Sequence, residues 1–476
     1  MTWCSRRALV RGAALAPLAA MAADGLPKPA PRYFAGHGSH DHRTLAYDLH
    51  LAYDPAAGRL EGRARIRAVA ERRLRQVNLD LAKLSVHEAL VDGAAVRPGR
   101  KGHKLLLPAP RPIPAGTPFT LEIGYGGRPG PVRTPFGQIG WDRTGDAHDG
   151  TLVAAQPLGA PSWFPCNDRP DDKAEFTFRV TVPRGHQALA NGALLEWRSS
   201  DTAECWTYHH RGPMAPYLAA VYTGRFTQET WQATDSATGR PVTGRNAYPV
   251  HLSGRARHDL GRQPEMFETF TRWFGPYPFE TYGAVVVDAD LDQPVENQTA
   301  SVFGRNHIDG ARTWETLVAH ELVHQWYGNS VSLRDWRDIW LNEGFATYGE
   351  WLWSEHIGED SADTIARAAW RTLARQGTGL RIADPGPDRI FDDRVYNRGA
   401  CTLHALRLTM GDDRFFRMLR GWHHAHRGES ADTAAFVAHA GRTMPRVLEP
   451  LLRAWLYDTC LPPLPPPPQE PGNAQS

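Results

Sequence analysis

The sequence predicts a multidomain chain, β first and α+β second: an all-β domain of sandwich type over residues 44–226, then a mixed α+β domain over 227–460. Three observations predict it. Up to about residue 226, runs such as TLAYDLHLAY, RARIRAVA, PFTLEIGYG and AEFTFRVTV alternate apolar and polar residues between Gly/Pro/Asp turns, the period-2 signature of half-buried strands. Beyond it, one strand-like run, AVVVDADL, gives way to TWETLVAHELVHQWYG, LNEGFATYGEWLWSEH, SADTIARAAWRTLARQ, RGACTLHALRLTM and DRFFRMLRGWHH, whose apolar residues recur at helical spacing. A length of 476 residues with 41% hydrophobic content is ample for two or three cores.

The flanks read differently. Residues 1–23 are expected to be a targeting segment: SRRALV, with Arg6 and Arg7, reads as a twin-arginine motif, and a short apolar run leads to the small-residue stretch Ala20 to Ala22. That run is too short for a permanent bilayer anchor, so the expected localisation is export to the periplasm or outside the cell. Residues 24–43 (DGLPKPAPRYFAGHGSHDHR) read as a Pro/Gly/His-rich linker, with His37, His40 and His42 solvated. Residues 461–476 (LPPLPPPPQEPGNAQS) read as an extended, disordered tail.

A net charge of +2 with scattered arginines gives no electrostatic case for a nucleic-acid partner. After removal of the leader four cysteines remain, Cys166, Cys205, Cys401 and Cys460. Disulfides are permitted in an oxidising compartment, but no C-x-x-C spacing suggests a structural zinc site.

The chemistry concentrates in VAHELVHQWYGN, residues 318–329. Residues four apart share a helix face, so His320 and His324 can present ring nitrogens to one point. The neighbours Leu317, Val318, Leu322, Val323 and Trp326 make this a buried helix, and two neutral imidazoles buried side by side need a partner, for which a metal is the economical choice. A catalytic zinc keeps about three protein ligands and one open position. Glu343, in WRDIWLNEGFATYGEWLW, is the candidate third ligand, brought back by a helix–loop–helix; Asp335 and Asp338 in the connecting stretch are alternatives. Glu321, between the histidines, is free to take a proton from the water such a metal would acidify.

HELVH, eighteen residues, then the glutamate of WLNEGFATY resembles the zinc signature of the aminopeptidase N family, the gluzincin aminopeptidases. The likeness extends in order from about residue 45 to 460: YDLHLAYD, WFPCNDRPDDKAEFTFRVTVP, PMAPYLAAVYTGRF, WFGPYPFETYGAVVV and VYNRGACTLHALR each resemble a family segment. The resemblance implies a thermolysin-like zinc peptidase domain after the β domain, one zinc ion per chain held by His320, His324 and Glu343, and Glu321 as the general base. It also implies a catalytic tyrosine at Tyr396, although Arg398 replaces the family's lysine in the Lys-Gly-Ala that follows. The large C-terminal helical domain of many relatives has no counterpart in this sequence.

By the same resemblance the free α-amine of a peptide is recognised by a glutamate loop. Here it reads QPVEN (Gln293 to Asn297), so Glu296 and Asn297 are the expected substrate contacts, with Gln156 from the β domain. Where many relatives place a second acid, two residues after that glutamine, this chain has Leu158. The function expected is a zinc aminopeptidase acting on peptides with a free N-terminus. Competing readings are an epoxide hydrolase of the family's leukotriene hydrolase branch, an endopeptidase-like enzyme, and a catalytically silent member of the fold.

Overall fold

The computed structural model describes residues 33–145, 149–377 and 379–466; the expected leader at 1–23 and the end of the expected tail, 467–476, lie outside them. The first half is all β. An eight-stranded sheet, built on His42–Asp54, Arg59–Ala70, Pro118–Gly127, Ala174–Pro183 and Ala203–Met214, is accompanied by a five-stranded and a three-stranded sheet. His42–Asp54 pairs antiparallel with Arg59–Ala70 and parallel with Ala174–Pro183. Along Arg59–Ala70 burial alternates almost without exception, so Ala64, Ile66 and Ala68 enter the core while the intervening arginines stay in water.

A four-stranded sheet opens the second half: Phe226–Thr234, Pro241–Pro249, Tyr282–Val287 and Ser301–Gly304, the last two joined in parallel. All six residues of Tyr282–Val287 are buried, the continuous apolar run that a covered parallel strand requires. The helices follow. Three of them carry the chemistry: Glu315–Val323 (the histidine helix), Trp340–His356 (the glutamate helix) and Asp393–Met410 (the tyrosine helix). The glutamate helix runs through the middle of the domain, with fourteen of its seventeen residues buried. A helix apolar all round must be covered on every side.

Glycines set how closely its neighbours approach. A Cβ on Gly399 of the tyrosine helix would lie 2.7 Å from the Gly344 Cα, and one on Gly344 would lie 2.8 Å from the Gly399 Cα. A Cβ on Gly349 would meet the Val323 side chain at 2.5 Å. Backbone therefore packs on backbone beside Glu343, and no larger residue fits.

Two expectations about the flanks are corrected. The part of the expected linker that is described, 33–43, is pinned to both halves. The Tyr33 hydroxyl donates to Asp384 (2.5 Å) and accepts from the Gly386 amide (2.6 Å), while the Gly38 amide donates to Asp80 and the Ser39 amide to Asn167. His42 is already in the first strand and buried. Composition could not show this, because every partner lies tens to hundreds of residues away. The expected disordered tail is likewise anchored at its start: Leu461 and Leu464 pack against the core, and the Trp370 indole donates to the Pro462 carbonyl at 2.7 Å.

Arg398, the departure from the family's lysine, has a structural explanation. Its buried guanidinium donates to the carbonyls of Leu380, Ala454, Trp455, Asp458 and Cys460, tying the tyrosine helix to the end of the last helix. An ammonium has three donors and could not serve all five. The four cysteines are free thiols, Cys166 and Cys401 buried. Among the described residues no helix is long and apolar enough to cross a membrane.

The glycine contact yields a prediction. Gly399→Ala should destabilise the protein by about 1–3 kcal/mol, the cost of overpacking a core, and should weaken metal binding because Glu343 adjoins the contact. Denaturant unfolding and zinc titration check it, and a variant neutral in both would show that the helices have slack.

Candidate active site

The histidine helix ends at Val323, and His324 caps it with its backbone still helical, so both imidazoles project from one face. The rings lie 4.7 Å apart at 74°. Each Nδ1 is engaged away from the other ring: that of His320 by Glu350 Oε1 at 2.7 Å, that of His324 by the Tyr327 carbonyl at 3.1 Å. These acceptors assign the proton to Nδ1 and leave both Nε2 lone pairs facing inward. Glu343 Oε2 meets them, 3.5 Å from His320 Nε2 and 3.4 Å from His324 Nε2. The structure thus brings His320, His324 and Glu343 together as the sequence predicted, and neither Asp335 nor Asp338 takes part. Asp335 caps the short turn Trp336–Asp338, and Asp338 accepts from Thr433.

Two further carboxylates share the site. Glu296, Glu321 and His324 also offer donor atoms within 4.8 Å of one another. Glu321 is buried, and its Oε2 has no hydrogen-bond partner. Burial pushes its pKa up to about 8 against the pull of the two imidazoles. For Glu343 burial also works upward, but the imidazoles of His324 and His320 outweigh it and hold its carboxyl down, to about 2. Burial raises Glu296 as well, and Glu343 adds to that shift while His324 opposes it.

The donor set fits a zinc ion. Two imidazole nitrogens and one carboxylate oxygen converge, the distal nitrogens are held by acceptors, and the orphaned carboxylate of Glu321 stands beside them without a partner. Three carboxylates buried beside the two imidazoles also gather more negative charge than an apolar interior holds without a cation.

Around this centre the Gln156 side-chain amide donates to Glu296 Oε1 at 2.6 Å. Tyr396, near the start of the tyrosine helix, lays its ring nearly parallel to that of His320, centroids 6.4 Å apart. Burial and the carboxylates of Glu343, Glu296 and Glu321 raise its phenol well above the ordinary range, so it stays protonated and able to donate. Leu158 is buried.

Asn297 is engaged inside the protein. Both of its amide hydrogens are spent inside the protein, on the Val153 carbonyl (2.8 Å) and the Tyr222 hydroxyl (2.7 Å). It ties the Glu296 loop to the β domain. Sequence reading missed Glu350, although the signal was there: it follows Glu343 by seven residues, two helical turns, and so shares its face. A second cluster, His37, Asp80 and His103, also corrects the solvated reading of His37, but there the Lys104 ammonium lies 2.5 Å from Asp80 Oδ1 and takes the place a metal would need.

Two imidazoles and a carboxylate from adjacent buried helices, with an unpartnered glutamate between them and a second carboxylate in reach, define a candidate catalytic zinc site. Comparison with known proteins makes this specific. Residues 43–218 match the Peptidase M1 N-terminal domain and residues 258–455 the Peptidase family M1 domain. A mutant M1 zinc metallopeptidase from Deinococcus radiodurans, bound to a Tyr-Ser-Ala substrate, is 31% identical, with a TM-score of 0.82 over 90% of this chain and 98% of that one. Aminopeptidase M1 of Arabidopsis thaliana is 25% identical over 84% of this chain and 49% of its own length. Leucine aminopeptidase 2 of Aspergillus oryzae is 26% identical over 89% and 71%. The chain therefore spans about half of the plant relative. It belongs to peptidase family M1.

Glu350→Gln should lower zinc affinity by about 10–100-fold, the usual effect of losing a carboxylate behind a ligating imidazole, while the fold is kept. Competition against a chromophoric chelator measures it; unchanged affinity would mean that Glu350 does not orient His320.

Proposed function

We propose that this protein is a zinc-dependent aminopeptidase, removing N-terminal residues from peptides. The observation that carries the reading is the position of Glu296: a buried carboxylate with a donor atom within 4.8 Å of those of Glu321 and His324. In a peptide the α-ammonium lies only a few bonds from the first scissile carbonyl. A carboxylate so close to the hydrolytic centre can hold that ammonium by a charge-assisted hydrogen bond while the first peptide bond sits over the metal ligands. The names of the relatives and the tripeptide bound to the Deinococcus protein support the same substrate class.

The geometry supports the following division of labour. Zinc bound by His320, His324 and Glu343 would acidify a water molecule and polarise the scissile carbonyl. Glu321, buried beside the ligands with one carboxylate oxygen unpartnered, and ionised once a zinc cation supplies the missing positive charge, would take the proton of the attacking water and deliver it to the leaving amine. Tyr396, kept protonated, donates to the oxyanion as it develops. Glu350 and the Tyr327 carbonyl fix the two imidazoles, and Gln156 steadies Glu296 from the β domain. With Leu158 in place of a second acid, Glu296 carries most of the amine recognition. We also propose export by the twin-arginine route on the residues SRRALV.

The test is turnover of aminoacyl-coumarin substrates. Chelation should abolish it and added zinc restore it. Glu321→Gln should bind zinc normally yet lose about 10²–10⁴ in turnover, and Tyr396→Phe about 10²–10³. A Gln variant at near-normal rate would remove Glu321 from the role of base. Replacing Arg6 and Arg7 together by lysine should strand the precursor inside the cell, and continued export would contradict the twin-arginine reading.

A further inference from the structure

Lys173 comes from the segment WFPCNDRPDDKAEFTFRVTVP of the β domain, and its ammonium lies against the catalytic domain. Nζ donates to two consecutive carbonyls, Asn329 and Ser330, both at 2.9 Å. Its hydrogen-bond partners are these two carbonyls, not a carboxylate. Burial lowers its pKa to about 7, with only the more distant Glu429 opposing. An ammonium desolvated without a counterion is unfavourable unless the carbonyls it holds matter to something else.

Those carbonyls belong to the turn that follows the zinc-binding histidines. The Asn329 amide nitrogen donates to the His324 carbonyl at 3.0 Å. Its side-chain amide reaches across and donates to the backbone carbonyl of Glu296 at 2.6 Å. Gln325 supports the same loop, accepting from the Thr299 amide at 2.8 Å. The carboxyl end of Glu296 is held from the other side by Gln156, also from the β domain. The residue that would grip the substrate amine is therefore fixed at both ends by the β domain, directly by Gln156 and through the Asn329 peptide by Lys173.

We infer that Lys173 is a positioning residue for amine recognition, holding the Asn329–Ser330 turn so that Asn329 sets the backbone that carries Glu296. This rests on the aminopeptidase reading. Lys173 touches neither the metal ligands nor Glu321, so its loss should act on the binding of the free amine and leave the hydrolytic step in place. Arginine can donate to both carbonyls and should substitute in part.

The experiment measures kcat and KM for one tripeptide with a free N-terminus, kcat/KM for its N-acetylated form, and zinc content, in wild type, Lys173→Met, Lys173→Arg and Asn329→Ala. Expected for Lys173→Met is a rise in KM for the free peptide of about tenfold with kcat within about twofold, the pattern of lost ground-state binding. Preference for the free over the acetylated peptide should shrink by a similar factor at unchanged zinc content, and Lys173→Arg should recover most of it. Should Lys173→Met fail to fold, Asn329→Ala breaks the same link at its other end and must show the same KM-selective loss. Unchanged KM and preference in a zinc-replete Lys173→Met would overturn the inference. So would equal losses in kcat and zinc, which mark a merely structural lysine. A wild type with no preference for the free amine would instead sink the aminopeptidase reading, and this inference with it.

Discussion

The site depends on one close approach: the backbone of Gly344 on the glutamate helix against that of Gly399 on the tyrosine helix, with Gly349 against Val323 on the other side. Glu343 precedes the first of these glycines, and Tyr396 lies one turn before the second. With the three helices this near, two imidazoles, the carboxylates of Glu343 and Glu321 and the Tyr396 phenol meet within one small volume. A single methyl group at either Gly344 or Gly399 would separate them, and a displacement of about 1 Å is enough to lose much of a catalytic arrangement. Arg398 adds to the same constraint by locking the tyrosine helix to the end of the chain's last helix.

Close packing creates an electrostatic problem that the function uses. Glu296, Glu321 and Glu343 are buried together, and carboxylates so placed cannot all ionise without a compensating cation. The two imidazoles stabilise the charge of Glu343, whereas Glu321 is driven toward the neutral acid. The divergence of two neighbouring glutamates suits the different roles proposed for them, one as ligand and the other as proton carrier.

Much of this was legible in the sequence. Spacing alone placed His320 and His324 on one helix face, and the alternating and helical periods separated the β half from the mixed half near residue 226. The ligand shortfall pointed to Glu343, with Asp335 and Asp338 as alternatives; the resemblance supplied Glu296 and Tyr396, and the geometry brings Glu343, Glu296 and Tyr396 to the histidines. What periodicity could not show were contacts made across long stretches of chain. Asn297 was expected at the substrate, but Val153 and Tyr222 claim its amide. The stretch from Tyr33 to Ser39 looked like linker, yet its partners are Asp384, Gly386, Asp80 and Asn167. Glu350 was within reach of sequence reasoning through its seven-residue offset from Glu343, and only the Nδ1 it engages revealed its task.

A single zinc ion, held by residues of two helices, is what this buried, carboxylate-rich pocket is built around. Metal stoichiometry by native mass spectrometry and elemental analysis tests it most directly, on the purified protein and on Glu343→Ala. One zinc per chain is expected in the wild type, retained through gel filtration, and loss of tightly held metal in the variant although it remains folded. A folded wild type that binds no zinc when the ion is supplied, or a Glu343→Ala protein that holds it as firmly, would contradict it.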